Sequence, residues 1–270
     1  TEIQFGTPTS TPFLQVEGIL EIIGTNERPV YLHGSSLSAS NRVAIINYGT
    51  TSITFAKILN PQLGRIESPY RLITSLTSLD HTYLYTDRQF EWYLRSLNFS
   101  DSILKKLQGM SFASRCGLGG SMSINSVLFD SLKNQGSLSL IIDSHTEGIN
   151  GSMIGCTFIQ NNRDNTPMSW SFDNKITPPF SNSNNVFLSK IWDPNTNNWM
   201  KFTIYYIANM DHTFSLENNY FGTTSASIID QMVYDRTDDF NLAVIDYDPY
   251  LTVAPETAYP FVIDVVLSTS

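Results

Sequence analysis

Asp238 and Asp239, followed at once by Phe240, are the side chains of this 270-residue chain whose types and spacing best suit acid–base chemistry. On an extended backbone, adjacent side chains point to opposite faces. One carboxylate can therefore meet solvent while the other is buried or bonded, and a raised pKa would make that group a general base. The competing reading is an acidic loop before a strand, with Phe240 plugging the core and Arg236 pairing with either acid.

Other constellations are weaker. Asp143, His145 and Glu147 alternate, so a strand would put all three on one face as metal ligands, but a polar loop after the run Leu138 to Ile142 explains them better. Asp193, Asn195 and Asn197 copy the first positions of a calcium loop. The copy fails where Asn198 replaces the required glycine and Ile204 the final glutamate. His33-Gly34-Ser35-Ser36 is a serine-rich loop without the Gly-x-Ser-x-Gly elbow of a hydrolase. Gly117, Gly119 and Gly120 precede a strand rather than opening a helix, which argues against a phosphate loop. No cofactor and no metal site is expected from these residues.

Composition limits the partners. The hydrophobic content of 41% supports a core, whereas charged residues make up only 15%, against roughly 25% in soluble domains. The polar surface must come from Ser, Thr and Asn. A net charge of −9 with Lys105-Lys106 as the one basic doublet disfavours nucleic acid as a direct ligand, because phosphate binding needs clustered cations. Two cysteines, Cys116 and Cys156, form no disulfide framework, which favours an intracellular origin. Thr1 to Ser10 lacks the basic and apolar regions of a signal peptide, no run is long enough to span a membrane, and the missing initiator Met fits processing from a precursor. Asn98-Phe99-Ser100 and Asn150-Gly151-Ser152 fit the glycosylation pattern, which matters only in a secreted chain.

The elements that must position these groups read mainly as strands. Alternation marks Phe13 to Ile23, Met122 with Ile124, Leu138 to Ile142, Ile154 to Ile159, Phe202 to Tyr206, Leu242 to Ile245 and Phe261 to Leu267. Val43 to Tyr48 and Ser52 to Ile58 flank Gly49-Thr50 like the arms of a hairpin. Helices are expected from Asp87 to Leu97, from Ser100 to Gly109, and over Ser227 to Tyr234, on the spacing of their apolar residues. Asn161 to Thr166, Thr177 to Asn185 and Asp193 to Asn198 read as long polar loops. No internal repeat, charge run or linker divides the chain, so it reads as one domain over 1–270.

The triplet Asp238-Asp239-Phe240 at a strand edge in a strand-rich chain resembles the capsid proteins of picorna-like viruses of arthropods, of dicistrovirus or iflavirus type. Gly119-Gly120-Ser121-Met122-Ser123-Ile124, with Arg115 upstream, is similar to an Arg-Gly-Ser strand pattern of that family, and Gln135-Gly136-Ser137-Leu138-Ser139-Leu140 to the strand after it. The resemblance implies an all-β, single eight-stranded jelly-roll sandwich with two or three short helices in its connections and an extended N-terminal arm over about residues 1–12. It implies a structural major capsid protein of a small icosahedral positive-strand RNA virus, made in the host cytoplasm and located in the virion. Its partners would be sister capsid proteins and a host receptor, with no sequence-specific nucleic-acid binding and no membrane span. It would not be an enzyme, except that Asp238, Asp239 and Phe240 would contribute to maturation cleavage of a capsid precursor. The alternative is a carbohydrate-binding β-sandwich, a lectin or a phage fibre head, with Trp170, Trp192 and Trp199 in its loop-rich stretch.

Overall fold

The computed structural model describes residues 2–5, 14–16, 18–34, 45–47, 50–59, 76–85, 89–93, 96–105, 109–113, 121–132, 138–142, 150–160, 168–172, 180–189, 192–193, 198–199, 204–207 and 213–258. Its strands form parallel sheets wound into a β-solenoid, not a jelly roll. The first sheet stacks Ile19–Ile23, Thr50–Thr54, Leu76–Asp80, Ser96–Ser100, Ser121–Asn125, Asn150–Ile154 and Phe180–Ser183. The second stacks eight strands, from Glu2–Phe5 and Val30–Gly34 through Leu128–Leu132 and Thr157–Gln160 to Val186–Ser189. A third, six-stranded sheet runs from Gln89–Tyr93 to Val233–Tyr234. Along the chain a strand of the first sheet leads to one of the second, and from Tyr83–Tyr85 onward usually to one of the third, before the next coil begins. Among the described residues, the one antiparallel pairing is Trp192–Asp193 with Asn198–Trp199.

The jelly-roll expectation fails because alternation reports only which face of a strand is buried. It carries no information on whether the neighbour is antiparallel or is the next coil of a solenoid. Ile45–Asn47 pairs in parallel with Leu14–Val16, while Thr50–Thr54 lies in the first sheet, so these two runs are not the arms of a hairpin. Residues 2–5, expected within an extended arm, pair in parallel with Val30–Gly34.

Two of the expected helices are strands. Gln89–Tyr93 and Ser96–Ser100 replace the first, and Ile103–Lys105 falls inside the second. Ser102 and Leu104, both within the second, are fully buried. A helix would separate residues two apart by about 160° around its axis, which cannot turn both to one core, whereas a strand does so directly. The third expected helix is short, Ala226–Asp230, with Ile229 buried, and Val233–Tyr234 is a strand. Polar Thr177 to Asn185 contains the strand Phe180–Ser183. The stretches Phe261 to Leu267, Asn161 to Thr166 and Gly117 to Gly120 lie outside the described residues. No helix among the described residues is long and apolar enough to cross a membrane.

One corner, between the first and second sheets, is built the same way coil after coil. Phe55, His81, Asp101, Ser126, Gly155, Asn184 and Asn218 all have left-handed backbone, with φ between 43° and 64°. That conformation turns the chain sharply within one residue, at a cost of about 1–2 kcal/mol for a non-glycine. The next residue faces inward at every coil: Ala56, Thr82, Ser102, Val127, Cys156, Asn185 and Asn219 are all buried. Corner N–H groups donate to the carbonyl of the following coil, as in His81 to Ser100 (3.2 Å), Asp101 to Asn125 (3.1 Å) and Ser126 to Ile154 (3.0 Å).

Beneath the corner, side chains stack in register. Ile22, Ile53, Leu79, Phe99, Ile124 and Met153 form the inward row of the first sheet. Leu32, Ile58, Leu84, Leu104, Phe129, Phe158 and Phe187 form that of the second. Phe129, Phe158, Phe187 and Phe221 stack ring on ring, with successive centroids 4.8, 5.2 and 5.4 Å apart. Offset stacks at such spacing add to the gain from burial alone.

Where the inward corner residues are polar, they bond each other's backbone. The Thr82 N–H donates to Ser102 Oγ (3.1 Å), that of Cys156 to Asn185 Oδ1 (2.8 Å), and that of Asn185 to Asn219 Oδ1 (2.8 Å). Asn185 Nδ2 also donates to the Met153 carbonyl (2.9 Å) and to Asn182 Oδ1 (2.6 Å). The C-terminal segment then closes over the outside of the corner: Ser126 Oγ donates to the Thr257 carbonyl (3.3 Å) and Thr157 Oγ1 to that of Ala258.

Asn185→Ala strands the Cys156 N–H and the Asn182 Oδ1 in the interior, so chemical denaturation should show a loss of roughly 2–5 kcal/mol, at about 1–3 kcal/mol per orphaned group. Asn184→Gly, one residue earlier and already left-handed, should be neutral or mildly stabilising in the same measurement. Gly155→Ala should destabilise, since its φ is +64° and the new Cβ would lie 2.7 Å from the Thr257 carbonyl oxygen.

Candidate functional site

Asp238, Asp239 and Phe240 lie in the turns between the strands Val233–Tyr234 and Val244–Asp246. Asp238 Oδ2 accepts the Asp235 N–H (3.2 Å), while Asp239 Oδ1 accepts the N–H and Nδ2 of Asn241 at 3.0 and 2.8 Å. These are local bonds that shape a turn. Phe240 is 73% exposed and does not plug the core. The buried carboxylate is Asp235, which sequence reasoning overlooked. It accepts Thr237 N–H and Oγ1, both at 2.8 Å, and the Ile245 N–H at 2.8 Å, tying the turn to the following strand. An Asp followed two residues later by Thr is the signal that was there to read.

The remaining expected groups are scattered. Asp143, His145, Glu147, Asn195, Asn197, Ser35 and Ser36 lie outside the described residues. His33 stands on the strand Val30–Gly34 of the second sheet. Trp170 belongs to Met168–Phe172, whereas Trp192 and Trp199 are register partners in the small antiparallel pair.

Two features that the sequence reading did not single out emerge on the first sheet and its corner. The first is a polar face. Glu21, Ser52, Ser78, Asn98, Ser123, Ser152 and Ser181 are aligned from strand to strand, and beside them run Ile23, Thr54, Asp80, Ser100, Asn125, Ile154 and Ser183, polar but for the two isoleucines. These positions alternate with the buried inward row, so they face outward, and they are half-buried or exposed. Neighbours within a row are about 4.8 Å apart, the spacing of paired strands. Bonds within the face hold side chains in place: Ser100 Oγ donates to Asp80 Oδ1 and Asn125 Nδ2 to Ser123 Oγ, both at 2.7 Å.

The second feature is a mixed cluster at the corner. Asp80 ends a strand, His81 is the left-handed residue that follows, and Asp101 is the left-handed residue of the next coil. One ligand atom from each lies within 4.8 Å of the others. His81 Nδ1 is 2.9 Å from Asp80 Oδ1 but lacks the alignment of a hydrogen bond. The ring stacks on Phe55, with centroids 4.5 Å apart and 25° between planes. Ser100 bonds Asp80, not the imidazole, so this is not a serine–histidine–aspartate relay.

No protein-family model, curated protein or solved structure matches this chain. The capsid resemblance thus finds no relative to test it, and the jelly roll that it implied is not the fold formed.

Cys156 is fully buried in the corner ladder, and burial pushes its thiol up to about 12, although backbone hydrogen bonds partly oppose the shift. It is no nucleophile at neutral pH. In a Cys116→Ser variant the native protein should resist thiol reagents at pH 8 and react once denatured. Because the unfolded thiol ionises near 9.0, the stability held by the neutral buried form is complete below pH 9 and declines as pH rises towards 12. Denaturation midpoints of the Cys156→Ala variant should lack that component of the decline.

Proposed function

We propose that this chain is a binding protein whose first sheet docks a repeating polar ligand, a polysaccharide chain, along its stacked rows. The carrying observation is the register of Ser52, Ser78, Asn98, Ser123 and Ser152, which sets short hydroxyl and amide groups at strand spacing on one outward face. A polysaccharide presents hydroxyls and ring oxygens at every sugar, so a periodic surface can meet it at many points. Short side chains lose little rotamer entropy when held by a ligand. Many weak bonds in series then give useful affinity through multivalency. The scarcity of charge suits a neutral polymer, and the stacked strands supply a continuous face.

A shell subunit is the other reading, and it no longer has the paired sheets that motivated it. The two part in solution. A polysaccharide binder should be retained on insoluble polysaccharides and give hits on a glycan array, and the double variant Ser123→Arg with Ser152→Arg should weaken binding at least about tenfold. Asn26→Arg, on the exposed turn after the sheet's edge strand and four strands from Ser123, should leave it unchanged. Failure to bind any polysaccharide, or binding indifferent to the double variant, would overturn the proposal. Sedimentation of native material as one large particle with sister chains would favour the shell reading instead.

A further inference from the structure

We infer that Asp80, His81 and Asp101 form a binding site for a divalent first-row transition-metal ion, Zn²⁺ being the natural candidate, on the outside of the solenoid corner. The inference is independent of the polysaccharide reading.

Three observations converge. The donor set is one imidazole nitrogen and two carboxylate groups, with one atom of each mutually within 4.8 Å. His81 Nδ1 and Asp80 Oδ1 stand at 2.9 Å. At the tetrahedral angle that zinc prefers, two donors about 2.1 Å from one ion lie about 3.4 Å apart, so binding would open the Asp80–His81 pair slightly and draw Asp101 in.

The imidazole nitrogen is also unsatisfied. His81 Nδ1 is one of two side-chain atoms among the described residues that are closed to solvent and have no hydrogen-bond partner; the other is Asn182 Nδ2, in the interior. Such an atom costs stability unless something bonds to it. It faces a carboxylate without donating to it, an arrangement that a shared cation resolves, because both atoms then act as electron-pair donors.

The site is held in place as well. Phe55 packs flat on the imidazole ring, and Ser100 Oγ donates to Asp80 Oδ1, the oxygen that faces the imidazole, and so orients the carboxylate. Outer hydrogen bonds of this kind align ligands in metal sites. Asp101 is brought over His81 by the solenoid itself, since the two occupy the same corner position in successive coils. The side chains of Asp80 and His81 are 30% and 26% exposed, which leaves room for water to complete the shell. An imidazole ligand selects Zn²⁺, Co²⁺ or Ni²⁺ over Ca²⁺ and Mg²⁺.

The full chain is titrated with Zn²⁺, and with Co²⁺ as a spectroscopic probe, after treatment with chelator. His81→Asn and Asp101→Asn make clean tests, because Asn tolerates the left-handed backbone that both positions require. Circular dichroism and the melting temperature without metal verify that each variant is folded. The expected result is a Co²⁺ absorption band with one equivalent bound, a rise in melting temperature with Zn²⁺, and at least about a tenfold loss of affinity in each variant. Absence of Zn²⁺ and Co²⁺ binding in the parent chain would overturn the inference. So would equal affinity in parent and variants, which would place the ion at other histidines, or Ca²⁺ binding as tight as Zn²⁺.

Discussion

The structure depends on one left-handed residue per coil. From Phe55 to Asn184 that residue turns the chain between the first two sheets, Asn218 repeats the turn one coil further, and each N–H bonds to the coil that follows. The conformation is unfavourable in isolation for any side chain but glycine. It is retained because each corner helps fix the next: the bend drives the following residue inward, and the inward residues stack from Ala56 to Asn219. With the corner in register, the strands on either side are in register too, and the apolar rows from Leu32 to Phe187 fall into line.

Short strands follow from this arrangement. A strand of three to five residues has few ladder bonds of its own, but here each inner strand of the three large sheets is paired above and below. Parallel neighbours otherwise need a long crossover. In a solenoid the crossover consists of the strands of the other sheets. The polar ladder from Asn185 to Cys156 serves the same end, since a buried amide lowers the free energy only when its partners sit at the correct height in the next coil. Sliding one coil by a residue would orphan these groups and expel the Phe stack.

The outer surface inherits the same periodicity. Anything placed at one position of a coil is repeated at about strand spacing, which lines up the hydroxyl rows and sets Asp101 over His81. A carboxylate pair adjacent in sequence, Asp238 and Asp239, is instead used up by bonds within its own turn. Residues distant in sequence thus build the surface features of this fold, and neighbours in sequence build its turns.

How much could be read in advance is clearest from particular segments. The strands over Met122 with Ile124 and Leu138 to Ile142 follow from alternation, and they form. The segments around Phe90 and Leu104 suggest helices because corner and strand residues happen to recur at helical intervals. The repeat itself was missed for a physical reason. Corner residues are 20 to 34 positions apart, since the loops joining the sheets vary in length, and the corner accepts Phe, His, Asp, Ser, Gly or Asn. Only the inward size limit and the flanking apolar residues are shared, too little to stand out in a single sequence. By itself the sequence determined that the chain is built of strands with one apolar face and a surface of Ser, Thr and Asn, because burial alternates locally along each strand. Whether those strands pair antiparallel as a sandwich or in parallel as a solenoid, and which distant residues share a row, was decided only by tertiary stacking, because register is a property of one coil against the next.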